Sequence, residues 1–390
     1  MTPSARLQAV IEILALGEAE PLDRQLKTWF RGHRFAGAKD RRAITERVYG
    51  IFRHRAHFAH RMASEEPRAL VIAALLAEGE NPETFFTGDY GPPPLTEPER
   101  MAIARPAGAV PAWVEGEYPA WLEGELQRAF GERLAEEMQA FQQRAPVDLR
   151  VNRLKATRDD VATAFRESGV PCDPIDDLPD ALRCSPGVAL SDHPLYRSGA
   201  FEIQDASAQR SVMLCAAKPG MRILDLTAGA GGKSLALAAA MQNKGEIIAC
   251  DIRGAALAEL ERRAVRAGVE IIRTHLLGAP PAGSFDLVLL DAPCSGSGTW
   301  RRQPELKWRL TPNRLAQLCE TQDRLLQQAA QVGAARLVYV TCSILPRENQ
   351  DRVENLLSRD PRYRRQRPDF HATPASGDGD GFYAAVLARS

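Results

Sequence analysis

The sequence predicts an α/β fold, in which a doubly wound, Rossmann-like sheet follows a small α/β subdomain and an all-helical domain. Three observations lead to this fold class. The chain has 390 residues, more than one hydrophobic core usually holds. Apolar residues recur at helical spacing near its start, and strand-like and helix-like segments alternate after residue 221. We expect the domains to span residues 1–144, 145–206 and 207–390.

The first domain is expected to be helical and to carry a basic surface. Leu7, Val10, Ile44 and Val48 are among the apolar residues that recur three or four positions apart. Residues 24–61 contain eleven Lys/Arg and two Asp/Glu, although the whole chain has 50 residues of each charge. A solvated helix face would also explain a run of charge, but so large a local excess favours a phosphate-binding surface.

The second domain is expected to be a small α/β unit. Residues 147–154 alternate between apolar and polar like a strand, and short strand-like stretches follow at 181–184 and 200–203. Between them, Thr157 and Asp160 are spaced like the N-cap of a helix. This segment therefore leads into the main sheet as a separate small unit.

The third domain shows a regular alternation of strands and helices. Such alternation is typical of parallel strands covered by helices, which form a doubly wound sheet. In sheets of this kind, ligands bind beyond the carboxyl ends of the strands. The predicted strands are residues 222–226, 246–250, 285–290, 336–340 and 381–387, and the predicted helices are residues 234–241, 255–267, 314–331 and 347–357.

A glycine-rich loop follows the first strand of this domain. Gly229, Gly231 and Gly232 let the backbone turn tightly and approach a ligand closely, and the helix that follows offers free N–H groups at its N-terminus. The next strand ends in Asp251, where an acidic side chain can accept hydrogen bonds from a ribose diol. A plain structural turn is the alternative for the loop alone. The pattern predicts a nucleoside cofactor and leaves NAD and S-adenosylmethionine open.

Two cysteine motifs follow two other predicted strands. One motif holds Asp291 and Cys294, and the other holds Cys342 between Thr341 and Ser343. If these strands are neighbours, both thiols and the carboxylate face one cleft. A thiolate that adds to C6 of a pyrimidine ring makes C5 nucleophilic, and a second group must help to release the adduct. Buried structural cysteine is the ordinary alternative, and the residues alone leave the roles of the two thiols interchangeable.

Composition and cysteine spacing indicate the cellular compartment in which the chain folds. No stretch reaches the roughly 18 apolar residues of a membrane span, and the N-terminus lacks the pattern of a signal peptide. The seven cysteines show no C-x-x-C spacing, which argues against a zinc site and against a disulfide framework. We therefore expect a soluble, cytoplasmic protein with reduced thiols, no metal and no membrane association.

Four blocks in the second half of the chain, at 291–298, 304–308, 339–343 and 381–383, resemble the signature of the RsmB/Sun/NOP2 family of RNA cytosine-C5 methyltransferases. The resemblance implies that Cys342 is the nucleophile and that Cys294 assists product release. It also implies that Asp291 contacts both the cofactor and the target cytosine base. It implies S-adenosylmethionine as the cofactor. The implied cofactor contacts are Thr227, Ala228, Gly229, Ala230, Gly231, Gly232, Lys233, Asp251 and Asp291.

The run from 39 to 50 is similar to the NusB-like helical RNA-binding domain of the bacterial ribosomal RNA members of that family. The segments 150–152 and 204–207 are similar to blocks that bound a small RNA-facing subdomain. The implied partner is RNA, and ribosomal RNA is the kind of RNA that the resemblance favours. We expect the chain to be a monomer. We then expect four basic residues to contact RNA phosphates: Arg301, Arg302, Lys307 and Arg309. The alternative is that they lie in a solvated loop.

The chain departs from the family pattern at three positions. The family usually has Cys and Pro where this chain has Thr227 and Ala230, and an acidic residue near Gly278. A missing acceptor is expected to weaken cofactor binding by about 1–3 kcal/mol. Three alternatives therefore stay open: a catalytically degenerate RNA-binding assembly factor, a transfer RNA cytosine-C5 methyltransferase and a NAD-dependent oxidoreductase. The last leaves both cysteine motifs unexplained.

Overall fold

The computed structural model describes residues 1–17, 20–106, 108–278, 281–377 and 379–389. The chain forms two compact units. The helical unit contains Met1–Gln143 and Trp300–Thr311, and the sheet unit contains Arg144–Thr299 and Pro312–Ser390. Residues 300–311 thus group with the helices, although we expected them within the third domain. None of the helices in the described ranges is both long and apolar enough to cross a membrane.

The helical unit forms where the apolar spacing predicted helices. Val10, Ile44 and Val48 are fully buried in its core. Thr2 begins the first helix by accepting a hydrogen bond from the N–H of Ala5 at 3.1 Å. The helices of this unit, numbered along the whole chain, are α1 (Pro3–Ala15), α2 (Leu22–Gly32), α3 (Ala38–Arg53), α4 (Arg55–Met62), α5 (Pro67–Ala77), α6 (Glu97–Ala104), α7 (Ala112–Glu115), α8 (Glu123–Phe130), α9 (Leu134–Gln142) and α15 (Glu305–Arg309).

The segment 300–311 is anchored to the C-terminal end of α3. The indole Nε1 of Trp308 donates to the carbonyl of Phe52 at 2.7 Å, and Nζ of Lys307 donates to the carbonyl of Arg53 at 3.2 Å. These carbonyls belong to the last turn of a helix, where intrahelical partners are missing. The segment therefore caps α3.

A buried carboxylate near this anchor interacts electrostatically with the buried ammonium of Lys307. The carboxylate of Glu117 accepts hydrogen bonds from the N–H groups of Ala56 and His57, at the start of α4, at 2.9 and 3.1 Å. Lys307 and Glu117 are each only 2% exposed. Burial raises the pKa of Glu117 while the Lys307 ammonium opposes the rise, and burial lowers the pKa of Lys307.

The predicted phosphate contact of Lys307 is wrong, because its ammonium is enclosed and serves the end of α3 and Glu117. Arg301, another of the predicted phosphate contacts, is also buried. The sequence could not reveal this, since a basic run looks the same whether its partner is a phosphate or a buried carboxylate.

The sheet unit begins with a four-stranded antiparallel sheet. Its strands are β1 (Val147–Val151), β2 (Cys172–Pro174), β3 (Ala181–Cys184) and β4 (Phe201–Ile203), in the order β2-β3-β1-β4, and its helices are α10 (Arg158–Glu167) and α11 (Pro194–Arg197). Three of the strands were predicted, and Thr157 forms the expected capping box with Asp160 at α10. Leu149, Phe165 and Phe201 form part of its core.

The expectation of reduced thiols throughout is wrong at one pair. Cys172 and Cys184 lie opposite each other in the ladder of β2 with β3 and are joined as a disulfide. Because β2 was not predicted, no pattern in the sequence indicated that these residues face each other. The free cysteines are Cys215, Cys250 and Cys319, which are buried, and Cys294 and Cys342, which are half-buried.

The large sheet has the Rossmann-like core that was predicted. Its strands are β5 (Arg222–Asp225), β6 (Glu246–Asp251), β7 (Ile272–Leu276), β8 (Leu287–Asp291), β9 (Arg336–Thr341), β10 (Tyr363–Arg365), β11 (Phe370–Ala372) and β12 (Phe382–Arg389), in the order β10-β12-β9-β8-β5-β6-β7 with β11 also on β12. The accompanying helices are α12 (Ala206–Met213), α13 (Gly232–Ala240), α14 (Gly254–Ala267), α16 (Pro312–Val332) and α17 (Gln350–Arg359).

At the β12 edge of the large sheet, strand direction differs from the all-parallel arrangement that we expected. Strands β7, β6, β5, β8 and β9 are parallel, whereas β12 runs antiparallel to β9. The described residues between β10 and β12 contain no α-helix, only β11 and a single 3-10 turn at Pro374–Ser376, so the chain turns back there without the crossover that a parallel neighbour needs. The short strands β7, β10 and β11 were not predicted.

We expect Lys307→Met to destabilise the helical unit by about 3 kcal/mol, because it leaves the carboxylate of Glu117 buried without its counter-charge. All five tryptophans of the chain belong to this unit, so urea unfolding followed by their fluorescence measures the change. The control is Arg100→Gln, which breaks an exposed pair with Glu83 and should cost about 1 kcal/mol or less. Equal effects of the two substitutions would show that the buried pair has no special weight.

Candidate functional site

A cavity of about 730 Å³ lies at the carboxyl ends of β5, β6, β8 and β9. Its position follows from parallel strands, whose carboxyl ends share one edge of the sheet. The structure brings nearly all predicted site residues together here, and Gly231 is the exception. The predicted residues that line the cavity are Thr227, Ala228, Gly229, Ala230, Gly232, Lys233, Asp251, Asp291, Cys294 and Cys342.

The glycine loop joins β5 to α13 along one wall of the cavity. The N–H of Ala228 donates to the carbonyl of Cys250 at 2.7 Å, which ties the loop to β6. Gly231 has φ +83° and is not among the residues that line the cavity, and a Cβ there would lie 2.4 Å from Cγ of Leu260 on α14. Gly231 is therefore needed for close packing of the loop on α14.

Asp251 ends β6 and is buried at the cavity wall. Its carboxylate accepts hydrogen bonds from the N–H of Gly229 at 3.0 Å and from the N–H of Arg253 at 2.8 Å. The Arg253 guanidinium also binds it, at 3.0 Å from Nε. Burial acts to raise the pKa of Asp251, but the hydrogen bonds from Arg253 and Gly229 outweigh burial and lower it. The carboxylate is thus held as an anion beside the glycine loop.

Lys233 and Asp291 form an ion pair across the cavity. Nζ of Lys233 lies 2.7 Å from Oδ2 of Asp291 and 5.5 Å from the ring centre of Phe382. Burial acts to lower the pKa of Lys233, but Asp291 outweighs it and the pKa is raised. The hydroxyl of Thr227 donates to the main-chain carbonyl of Asp291 at 2.9 Å. The unusual Thr227 therefore links the glycine loop to the end of β8.

The two half-buried thiols face each other beside this ion pair. Strands β8 and β9 are parallel neighbours, with Asp291 opposite Val340, so the loops that follow them run side by side. Sγ of Cys294 lies 3.3 Å from Sγ of Cys342. The hydrogen bond to Cys342, reinforced by burial, raises the pKa of the Cys294 thiol well above its usual value. Cys294 therefore keeps its proton at neutral pH.

A buried carboxylate that the sequence did not single out holds the two cysteine loops together. Glu348 is fully buried and accepts hydrogen bonds from the N–H of Ser295 at 2.8 Å and from Nε2 of Gln322 at 3.0 Å. The hydroxyls of Ser295 and Ser343 donate to its other oxygen. Ser295 follows Cys294 and Ser343 follows Cys342, so one side chain sets the separation of the loops. The sequence predicts a helix over 347–357, but Glu348 precedes α17 in a 3-10 turn.

Side chains from α12 and α16 complete the cavity wall and were not predicted. Thr321, Arg324 and Leu325 of α16 and Ala208 of α12 line it. No motif marks these positions, because they reach the cavity only through packing of the helices on the sheet. Gly278 has open space around its missing side chain: within the described residues, no atom lies within 4 Å of a Cβ built there.

We expect Glu348→Ala to lower the local stability of β8 and β9 by about 2–3 kcal/mol, because several buried donors lose their acceptor. Amide hydrogen exchange of both strands measures this loss, and the rate at which iodoacetamide alkylates Cys294 and Cys342 should change with it. The control is Glu354→Ala on α17, whose carboxylate is 65% exposed and should change stability by about 0.5 kcal/mol or less. Unchanged exchange in Glu348→Ala would contradict the assigned role.

Two family models match the chain from residue 118 onward, and the second of them begins within the helical unit. The model described as 16S rRNA methyltransferase RsmB/F matches residues 212–388. A second model, the ferredoxin-like domain of RsmF/B-like methyltransferases, matches residues 118–190.

Curated relatives agree with these models. The ribosomal RNA small subunit methyltransferases B of Serratia proteamaculans (strain 568) and Salmonella paratyphi B are each 33% identical, over 68% of this chain and 64% of their own length. The match thus spans somewhat less than two thirds of these relatives.

Solved structures share the fold. The crystal structure of PH0851 matches with a TM-score of 0.81 and 24% identity, over 100% of this chain and 99% of that chain. The structure of NSun6 from Pyrococcus horikoshii with SFG matches with a TM-score of 0.65 and 19% identity, over 70% of this chain and 98% of that one. The two family models and the curated relatives show that the chain belongs to the RsmB/F family of methyltransferases.

Proposed function

We propose that this protein transfers a methyl group from S-adenosylmethionine to C5 of a cytosine in RNA, with small-subunit ribosomal RNA as the substrate. The observation that carries the proposal is the pair of thiols 3.3 Å apart, next to the ion pair of Lys233 with Asp291 in one cavity. The names of the family models and of the curated relatives support a ribosomal RNA substrate. Cytosine and its C5 position are inferred from the thiols.

The cavity fits a nucleoside methyl donor. The glycine loop leaves its backbone accessible, and the carboxylate of Asp251 stands at the end of the next strand, where a ribose diol can donate to it. SFG, an analogue of S-adenosylmethionine, is present in the NSun6 structure. In this proposal Thr227 to Lys233, Asp251 and Asp291 contact the cofactor. When bound, S-adenosylmethionine supplies an electrophilic methyl group.

Cys342 is the proposed nucleophile. Its Sγ bonds to C6 of the cytosine, and the electrons of the C5–C6 double bond then make C5 able to accept the methyl group. The carboxylate of Asp291 and the ammonium of Lys233 offer an acceptor and a donor to the polar edge of the ring during this step. Transfer of the C5 proton to solvent then restores the C5–C6 double bond, and the C6–S bond breaks to expel the Cys342 thiolate.

Cys294 is the proposed assistant in release. It lies within hydrogen-bond distance of Cys342 Sγ, and its raised pKa keeps it a thiol. A thiol at this position can donate a hydrogen bond to the departing thiolate of Cys342, which lowers the barrier to expulsion.

The remaining domain assignments extend the same proposal. We assign RNA binding to the helical domain at residues 1–144 and an RNA-facing role to the small antiparallel sheet within 145–206, in a chain that acts as a monomer. The methyltransferase chemistry then resides in residues 207–390, which contain all three proposed catalytic side chains and, apart from Gln204, the lining of the cavity.

Substitution of the two cysteines separates their roles. We expect Cys342→Ala to abolish methylation of small-subunit ribosomal RNA, because no adduct can form. We expect Cys294→Ala to accumulate protein covalently bound to RNA, seen as a slower band on a denaturing gel. The control is Cys215→Ala, a buried cysteine that does not line the cavity. The reverse pattern, with adduct in Cys342→Ala, would contradict the assignment.

Calorimetry with S-adenosylmethionine separates an enzyme from a degenerate assembly factor. We expect measurable binding that Asp251→Ala weakens about 10-fold or more, because the N–H of Gly229 and Arg253 lose their acceptor. Asp360→Ala is a matched control, since Asp360 accepts from the N–H and guanidinium of Arg362 in the same local arrangement. No detectable binding by the unmodified chain would favour the RNA-binding assembly factor.

A further inference from the structure

The positive charge of the helical unit is concentrated more narrowly than the sequence indicates. Of the eleven basic residues between 24 and 61, seven are bound to carboxylates or backbone carbonyls. They are Arg24, Arg41, Arg42, Arg47, Arg53, Arg55 and Arg61. Among the residues that the structure describes, the other four have no partner, and all four are exposed: Lys27, Arg31, Arg34 and Lys39.

These four cations surround the junction between α2 and α3, and no acidic residue occurs from 27 to 39. Lys27 and Arg31 are four residues apart on α2 and therefore share one face of that helix. Arg34 lies in the connecting loop, and Lys39 lies in the first turn of α3. Asp40, which follows, is buried and bound by Arg6 and the N-terminal amine, so it does not neutralise the group.

An exposed aromatic ring stands among these cations. Phe35 is 69% exposed, although burial of such a ring is normally favourable. Its ring meets His33 edge-on at 5.7 Å, and His33 is stacked on Trp29 at 3.8 Å with the ring planes 6° apart. Nδ1 of His33 is also hydrogen-bonded to the carbonyl of Trp29 at 2.7 Å. The exposed ring is thus supported from beneath by a fixed aromatic pair.

We propose that this surface, formed by Lys27, Arg31, Arg34, Phe35 and Lys39, binds a single-stranded segment of RNA, with one base stacked on Phe35. An open ring next to unpaired cations is the combination that single strands require, because their bases expose a flat face and their phosphates carry regular negative charge. A protein partner would need acidic groups opposite four cations, and the ring alone offers it little apolar area. The inference rests on the proposed RNA substrate and adds where the helical unit holds that RNA.

Fluorescence anisotropy of a labelled, unstructured oligoribonucleotide of about 12 nucleotides tests stacking on the intact chain without cofactor. We expect Phe35→Ala to raise the Kd about 30-fold, the middle of the range for loss of one stacked base. Phe35→Trp should retain the affinity of the unmodified chain, and Phe35→Leu, which keeps apolar area but no ring, should behave like Phe35→Ala. The control is Tyr90→Ala, which removes a ring that is 91% exposed elsewhere on the helical unit.

Salt dependence tests the cations. Arg34→Gln combined with Lys39→Gln should reduce the slope of log Kd against log salt by about 1.4, since each lost phosphate contact in a single strand removes about 0.7. Arg100→Gln, whose guanidinium is engaged by Glu83, should leave the slope unchanged.

Three outcomes overturn the inference: a Kd unchanged by Phe35→Ala, full affinity in Phe35→Leu, or an unchanged salt slope in the double variant. Loss of binding to intact small ribosomal subunits, with unchanged binding to the oligonucleotide, would assign the surface to a protein partner instead. Methyl transfer is measured separately. A chain that binds RNA through Phe35 yet transfers no methyl group would refute the proposed function alone.

Discussion

Parallel pairing of β8 with β9 is the constraint on which the site depends. It places the loop that holds Cys294 beside the loop that holds Cys342, and the thiols come within 3.3 Å. Neither loop could hold this position by strand pairing alone, because each carries backbone groups beyond the end of the ladder. Glu348 binds both loops at once, through the backbone N–H of Ser295 in one and the hydroxyl of Ser343 in the other. The geometry of the thiols is therefore set by one strand pair and one buried carboxylate.

Charged groups in the cavity are arranged in pairs, which lowers the cost of burying them. Lys233 is held by Asp291, and Asp251 is held by Arg253 and the backbone of Gly229. Each pair keeps polar capacity for a ligand, because a carboxylate accepts more hydrogen bonds than these contacts use. The cavity is thus ordered before any ligand enters, which favours binding without a further cost of ordering side chains.

The helical unit also contains buried charged groups that act on each other, but these groups stabilise helix ends and do not line a cavity. Lys307 and Glu117 are buried together, and both act on helix ends: the ammonium on the last carbonyls of α3 and the carboxylate on the first N–H groups of α4. A buried charge of this kind is not available to bind a ligand at the protein surface. Of the eleven basic residues between 24 and 61, the four without a partner in the described structure all lie between residues 27 and 39, the segment that contains Phe35.

The sequence by itself determined the fold class and most of the site. Alternation of strands and helices from residue 222, the glycine loop, Asp251 and the two cysteine motifs depend on local spacing, and ligand sites in such sheets lie at the strands' carboxyl ends. Only the tertiary structure decided the rest. The burial of Lys307, the pairing of Cys172 with Cys184, the antiparallel β12 and the role of Glu348 each depend on contacts between residues distant in sequence or on strands too short to show a pattern. Local spacing carries no information about such contacts, because the same residue in the same pattern can face solvent or a buried partner.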